Sequence, residues 1–380
     1  MNNFKRKNIL LLMEWYDHAF REGIGRFAAE RRWIVTVNDN CTLPDGWRGD
    51  GILTYFDTRK DIIRYVANAG IPVVNLSGFR PDIDIPSVTG DNVGIGRMAA
   101  DFFLGKGFRR AAYFSTEFRR LQKLRLHGFT SRWREATGEK IVPFVPALDK
   151  RRTRADDWTR LGAYLREKLA AVRKPLAVFA YCDYDAAKVE AAALEAGLDI
   201  PKDVAILGVD NDPLVCENDV VPLSSIDHDR VRIGYEGAAL LEKLMAGEKV
   251  EERNKLILPR RLEERASTRG VFTDDPLARK VIDFFSDHLR ERIGVPEAAE
   301  ALGLTTRSLE RYFQSVVGRP VTSFLRELRL AKARQMVEES DLPFGEIADV
   351  CGYANAQHFS NVFRRSFGIT PSEARAHSPV

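Results

Sequence analysis

The chain has 380 residues, 44% hydrophobic and 29% charged, with a net charge of only +4. That length predicts two or three domains, each able to bury a core, and so small a net charge does not by itself announce a nucleic-acid partner. Four cysteines (41, 182, 216, 351) and six scattered histidines show neither disulfide nor metal-ligand spacing, and no apolar run approaches the ~18–20 residues of a membrane span. The basic start Lys5–Lys7 before "NILLLM" is cut off by Glu14 and Asp17, too soon for a secretory signal. A cytoplasmic protein with reduced thiols and no metal, cofactor or membrane contact is the expectation.

Up to about residue 270, short β-branched or apolar runs alternate with helical patterns. "KNILLLM" precedes a helix over 18–31; "WIVTV" and "GILTYF" precede one over 59–69; "PVVNL" and "AAYFS" precede one over 122–137; "LAVFAY" precedes one over 185–196, and "VAILGVD" is the next strand. Such alternation predicts βαβ units and parallel sheets, an α/β fold. From Pro276 the strands stop. "DDPLARKVIDFFSDHL" opens with an Asp cap and a Pro at the first helical position, and helix follows helix. The predicted domains are therefore 1–270, a linker over 271–275 inside the polar stretch "ASTRGVFTDD", and an all-α domain over 276–380.

The helical tail repeats itself. With a shift of 50, "TTRSLERYFQSVVG" (305–318) lies over "NAQHFSNVFRRSFG" (355–368), Leu309 on Phe359, Phe313 on Phe363 and Gly318 on Gly368. A shorter helix ending in glycine, at Gly303 or Gly352, precedes each copy, which is the helix-turn-helix pattern. Phe359, Val362, Phe363 and Phe367 fall on one side of the second copy, and Gln357, His358, Asn361, Arg364 and Arg365 on or beside the other. In the major groove Gln and Asn suit adenine and Arg suits guanine, so a recognition face wants these groups and few carboxylates. The first copy offers Arg307, Arg311 and Gln314, with Glu310 as a discordant acid able to accept from cytosine. Residues 304–334 hold seven basic and two acidic groups, a local charge suited to a docking face; an all-helical packing module with a merely solvated polar face is the bland alternative. The stretch "PVTSFLRELRLAKARQMVEES" between the copies reads as one helix of about 20 residues, ~30 Å long, close to the ~34 Å between successive major-groove faces.

The segment from about 276 to 376 closely resembles the AraC/XylS-type DNA-binding domain, in "RSLERYF", "LRLAKARQMV" and "IADVCGYANAQHFSNVFRRSFGITPSEAR". The resemblance implies that Arg307, Glu310 and Arg311 in the first recognition helix, and Ala356, Gln357, His358 and Asn361 in the second, stand where the family reads bases. Arg364 and Arg365 would hold phosphates, which position without specifying sequence. Ala356 departs from the family, offering at most contact with a thymine methyl. Gly368, Thr370, Pro371 and Glu373 close the module with a glycine stop and a capping box.

The front two-thirds resembles the effector-binding core of LacI/GalR regulators and periplasmic sugar-binding proteins, in "VTGDNVGIGRMAADFFLGKGFRRAAYF", "LRLHGF", "LAVFAYCDYDAAKV", "AILGVDND", "PLSSID" and "LILPRRLEERAST". The implied architecture is a two-lobed periplasmic-binding-protein-like α/β sensor, parallel sheets flanked by helices, followed by an all-α domain with two helix-turn-helix motifs. A sugar would sit at the carboxyl ends of the strands, where carboxylates and Arg grip hydroxyls and aromatic rings cover C–H faces. Arg125 and Asp210 are the strongest candidates by the family pattern, then Asp183, with Asp17 at the end of the first strand and Asp91 and His228 from the other lobe. Asp17 and Asp91 also suit simple helix caps, and Tyr16 and Phe56 suit either ring stacking or core. Where relatives often carry Gln, His228 is a departure.

Together the resemblances imply a transcription regulator answering to xylose or a related aldose, an activator of pentose-use genes that binds double-stranded promoter DNA, with RNA polymerase as partner and a homodimer as the assembly. Another monosaccharide, or repression, is the alternative. Catalysis finds little support: "GDNVGIGR" and "REGIGR" lack the third glycine of a dinucleotide fingerprint, no GxSxG elbow or phosphate loop appears, and "DYD" (183–185) and "DND" (210–212) as cation ligands compete with the sugar role.

Overall fold

The computed structural model describes residues 6–376, apart from 15–16, 39–42, 45, 57–58, 79, 81–82, 147–157, 274, 290 and 292. In chain order it comprises β1 (Asn8–Met13), α1 (His18–Arg31), β2 (Ile34–Asn38), β3 (Gly51–Tyr55), α2 (Lys60–Ala67), β4 (Val73–Asn75), β5 (Ser87–Gly90), α3 (Asn92–Gly105), β6 (Ala111–Phe114), α4 (Arg120–Thr137), β7 (Val142–Phe144), α5 (Trp158–Ala171), β8 (Leu176–Ala180) and α6 (Asp183–Glu195). Then follow β9 (Val204–Val209), α7 (Pro213–Cys216), β10 (Ser224–Asp227), α8 (Arg230–Met245), β11 (Asn254–Ile257) and β12 (Arg261–Glu263), and after these only helices: α9 (Pro276–Asp287), α10 (Val295–Ala301), α11 (Thr306–Val317), α12 (Val321–Glu339), α13 (Phe344–Val350), α14 (Ala356–Phe367) and α15 (Pro371–Ala376). Two compact units result, one of residues 1–103 and 110–268, the other of 104–109 and 269–380.

The first unit holds two six-stranded sheets, ordered β11-β5-β4-β3-β1-β2 and β12-β10-β9-β8-β6-β7. The described pairings are parallel except β10 with β12. Each sheet is the core of a lobe, and the chain passes between lobes after β5, after β10 and between β11 and β12. The central strands β3, β8 and β9 are buried throughout, as expected of parallel strands covered on both faces. Helices α1 and α8 pack side by side on the first sheet, and glycine permits their approach: a Cβ on Gly23 would stand 1.9 Å from the Val231 carbonyl oxygen, and one on Gly234 2.3 Å from that of Phe20. In the second lobe Phe103, Phe129, Trp133 and Phe179 form a fully buried aromatic group.

The second unit packs around two apolar clusters. Val281, Phe285, Ala298, Leu309, Phe313 and Phe324 fill the first; Leu330, Ala333, Val337, Ile347, Phe359 and Phe363 fill the second. Helix α12 contributes its first half to one cluster and its second half to the other. Asp275 caps α9, accepting from the Leu277 and Ala278 N–H groups at 3.0 and 2.8 Å, and also accepts the Tyr312 hydroxyl at 2.6 Å, tying the start of α9 to α11.

Candidate functional site

In the first unit, Asp17 follows β1, Tyr181 and Asp183 follow β8, Asp210 follows β9 and His228 follows β10, so strand carboxyl ends supply the polar groups. Asp17 caps α1, one carboxylate oxygen accepting the Phe20 N–H at 2.9 Å, while the other accepts Arg230 Nη1 at 2.7 Å. Arg230 Nη2 lies 3.3 Å from the Asp210 carbonyl oxygen, so this side chain spans the two lobes. The Asp210 carboxylate sits 2.9 Å from His228 Nε2. Asp183 accepts Ser225 Oγ at 2.6 Å and the Asp212 N–H at 2.9 Å. Arg125, only 3% exposed, donates Nε to Asn92 Oδ1 at 2.8 Å and Nη1 to the Tyr181 carbonyl, with its guanidinium 4.5 Å over the Tyr181 ring.

The backbone is held out of its ordinary regions here. Asp210 has φ +113° and Asn211 +50°, two consecutive non-glycine residues with positive φ, and Asp229 has +59°. Such conformations cost on the order of 1–3 kcal/mol each and persist where surroundings over-determine them. Here the surroundings are Ser225 Oγ, accepting the Asn211 N–H at 2.9 Å, and Arg265, donating to Asn211 Oδ1 at 2.9 Å.

Electrostatics divide the carboxylates. Burial, reinforced by the charge of Asp210, pushes Asp183 up to about 7. Burial acts the same way on Asp210, but Arg230 and His228 outweigh it and hold Asp210 at about 2. Burial also lowers His228 against the pull of Asp210, which leaves the ring neutral at neutral pH. With Nε2 donating to Asp210, Nδ1 is a bare acceptor: it has no partner among the described residues, and a Cβ on Gly90 would stand 2.9 Å from it. Asp210, held ionised by Arg230 and His228 with the charge of Arg125 nearby, and Asp17, paired with Arg230, make a balance of charge suited to a neutral polyhydroxylated molecule.

Not every predicted residue joins this group. Phe56, 1% exposed, packs in the apolar cluster with Leu12, Ile62 and Val66, so its ring belongs to the core and not to a stacking face. Asp91 accepts the Gly94 N–H at 2.8 Å and acts as the cap of α3 at the first crossover. Tyr16 lies outside the described residues. Sequence reasoning passed over Arg230, Asn92 and Ser225; the signal for Arg230 was its position two residues beyond His228, at the start of the helix that follows β10. A separate cavity of about 320 Å3 between α5 and α6, lined by residues including Trp158, Arg166, Lys188 and Glu195, shares no residue with the cluster.

In the second unit α10–α11 and α13–α14 form two helix-turn-helix pairs with the same local chemistry. Gly303 and Gly352 turn at φ +69° and +71°. Thr305 and Asn355 cap α11 and α14 by accepting the Ser308 and His358 N–H groups at 3.2 and 2.8 Å, and Gly318 and Gly368 end both helices at positive φ. Leu309, Phe313, Phe359 and Phe363 are buried, whereas Arg307, Glu310, Arg311, Gln357, His358, Asn361, Arg364 and Arg365 are exposed and Ala356 is half-buried. Among the described residues no carboxylate pairs with Arg307, Arg311, Arg364 or Arg365. Gln357 Nε2 lies 3.4 Å from Asn361 Oδ1, one helical turn away. The terminal capping box forms as expected, Glu373 accepting the Thr370 N–H at 2.7 Å and Thr370 Oγ1 the Glu373 N–H at 3.2 Å.

Part of the positive charge expected over 304–334 is engaged within the domain. Arg319 pairs with Glu327, Arg334 lies 5.0 Å over the Phe367 ring, and Arg329 turns inward to the Ile293 carbonyl. Arg307 and Arg311 on α11, within that segment, and Arg364 and Arg365 on α14 are exposed and have no carboxylate partner among the described residues.

The periplasmic binding protein-like domain family matches residues 100–268, and the helix-turn-helix domain family residues 298–377. The xylose operon regulatory protein of Escherichia coli strain K12 is 26% identical over 387 aligned residues, 98% of this chain and 97% of that protein. The HTH-type transcriptional activator RhaS of Escherichia fergusonii is 33% identical over 114 residues, 30% of this chain and 41% of its own. In fold, the chain matches the structure of a xylose-binding transcription activator with a TM-score of 0.66 at 23% identity, over 99% of this chain and 100% of that one. Over its full length the chain is similar to xylose operon regulatory proteins, and it combines a periplasmic binding protein-like domain with a helix-turn-helix domain, which supports a sugar-responsive, DNA-binding transcription regulator.

Proposed function

We propose that the protein is a cytoplasmic, non-catalytic regulator that binds xylose between the lobes of its sensor and activates pentose-use genes. The observation that carries the reading is the charge-balanced group of Asp17, Arg125, Asp183, Asp210, His228 and Arg230, borne on the same chain as two helix-turn-helix pairs whose recognition faces carry free guanidiniums and amides. Asp210 and Asp17 accept hydroxyl hydrogens, Arg125 and Arg230 donate to hydroxyl oxygens, and His228 Nδ1 accepts one more. Asp91 and Phe56 support the site from the crossover and the core.

The domain over 276–380 reads DNA. Arg307, Glu310, Arg311, Ala356, Gln357, His358 and Asn361 meet base edges, and Arg364 and Arg365 meet phosphates. Two chains pair as a homodimer, and sugar favours one lobe arrangement by its differential affinity for the two states, setting the DNA-binding domains for contact with promoter and RNA polymerase. A calorimetric panel of aldoses and ketoses against the purified protein tests the effector assignment. Heat with D-xylose, absent in Asp210→Ala, is expected; tight binding of another monosaccharide alone, or heat preserved in Asp210→Ala, overturns it.

A further inference from the structure

Helix α12 does more than connect. Its residues up to Leu328 pack in the first apolar cluster and those from Leu330 in the second, so Arg329 stands where the helix leaves one helix-turn-helix pair for the other. Its side chain engages both. Arg329 Nη2 donates to the Ile293 carbonyl at 2.7 Å, just ahead of α10. Its guanidinium lies flat against the turn of the second pair, where a Cβ on Gly352 would stand 2.8 Å from Nε and 3.0 Å from Cζ. The corresponding turn glycine of the first pair, Gly303, has open space at that position. The two copies therefore differ at this turn. No carboxylate among the described residues pairs with Arg329, and its buried Nε has no partner, so an ordinary ion pair does not account for its inward position.

Resting on the DNA-reading assignment above, we propose that Arg329 is a positioning residue that fixes the angle and separation of the two recognition helices, and so the spacing of the two DNA segments that one chain reads. It touches no base. A rigid joint raises the effective concentration of the second helix at its segment once the first is bound, and a loose joint lowers it for the best spacing while tolerating others.

The test uses the full-length protein and a duplex selected by it from a random pool, with the two contacted segments then moved one base pair closer or farther apart. Wild type is expected to lose about tenfold or more in affinity on either shift. Arg329→Met, which keeps bulk but removes the donors, is expected to bind the selected duplex about tenfold more weakly and to discriminate the three spacings by less than about threefold. Its affinity for a duplex with a single segment should equal that of wild type. Should Arg329→Met fold poorly, Arg329→Lys, which keeps charge and one donor, is expected to show intermediate spacing discrimination. Wild-type spacing preference retained in either folded variant overturns the Arg329 role alone; failure of wild type to select any duplex overturns the DNA-reading assignment with it.

Discussion

The two halves of the molecule use the same polar side chains in opposite ways. In the sensor, Arg125 is buried against Asn92 and Tyr181, Arg230 is locked to Asp17, and Asp210 sits between Arg230 and His228. In the helical domain Arg307, Arg311, Arg364 and Arg365 are exposed. Buried charges must be compensated before a ligand arrives, so the first arrangement presents directed hydrogen bonds with little net field, fit for a small neutral molecule. Free guanidiniums in water instead generate a field for a polyanion and gain affinity by releasing its counterions. Solvation, more than residue type, separates a group suited to a small neutral ligand from a face suited to a polyanion.

The contrast can be broken by substitution. Asp210→Ala should have the largest effect: charge-assisted hydrogen bonds are worth ~1.5–3 kcal/mol each, and losing more than one should weaken sugar binding roughly 100-fold or more by calorimetry, with basal DNA affinity unchanged. Because Asp210 holds φ +113°, Asp210→Asn, which is easier to accommodate there, is the control for backbone strain. Next comes Gln357→Ala, expected to relax sequence choice at one base pair by ~1–3 kcal/mol in competition binding. Arg364→Ala should weaken all sequences about equally and lower the salt slope by about one; uniform loss from both variants would erase the division between reading and positioning.

The smallest effects are those of pH. Asp183 titrates near 7, and a hydroxyl donating to it favours its ionised form, so sugar affinity should rise as pH climbs through about 7 and flatten in Asp183→Asn. Stability runs the other way. The folded pKa values of Asp183 and of Glu190, the latter pushed by burial up to about 8, lie above those of the unfolded chain, so the folded state keeps protons that the unfolded chain has released. Their stabilisation is complete below about pH 4 and is lost as pH rises to about 8; Glu190→Gln should remove part of the fall in melting temperature over that range.

Local signals were legible in the sequence, and long-range ones were not. The helix over 18–31, the Asp275–Pro276 start and both recognition helices rest on period and capping chemistry within a few residues, and the structure places them as expected. Strands of three or four residues, such as Val142–Phe144 and Ser224–Asp227, are too short for periodicity to register. Arg230 escaped because its partner Asp17 lies 213 residues away. Phe56 shows the reverse limit: an aromatic residue at a strand end looks the same whether it faces ligand or core, and only packing decides. In the sequence Arg329 reads as one more docking cation, because charge there carries no direction.

Promoter-fragment binding by the full-length protein, measured by fluorescence anisotropy across a xylose titration in wild type and Asp210→Ala, joins the two halves in one experiment. A xylose-dependent shift in DNA affinity in wild type, with none in Asp210→Ala, is the expected result. An identical shift in both proteins, or no shift with any aldose, would contradict sugar control exerted through the interlobe cluster.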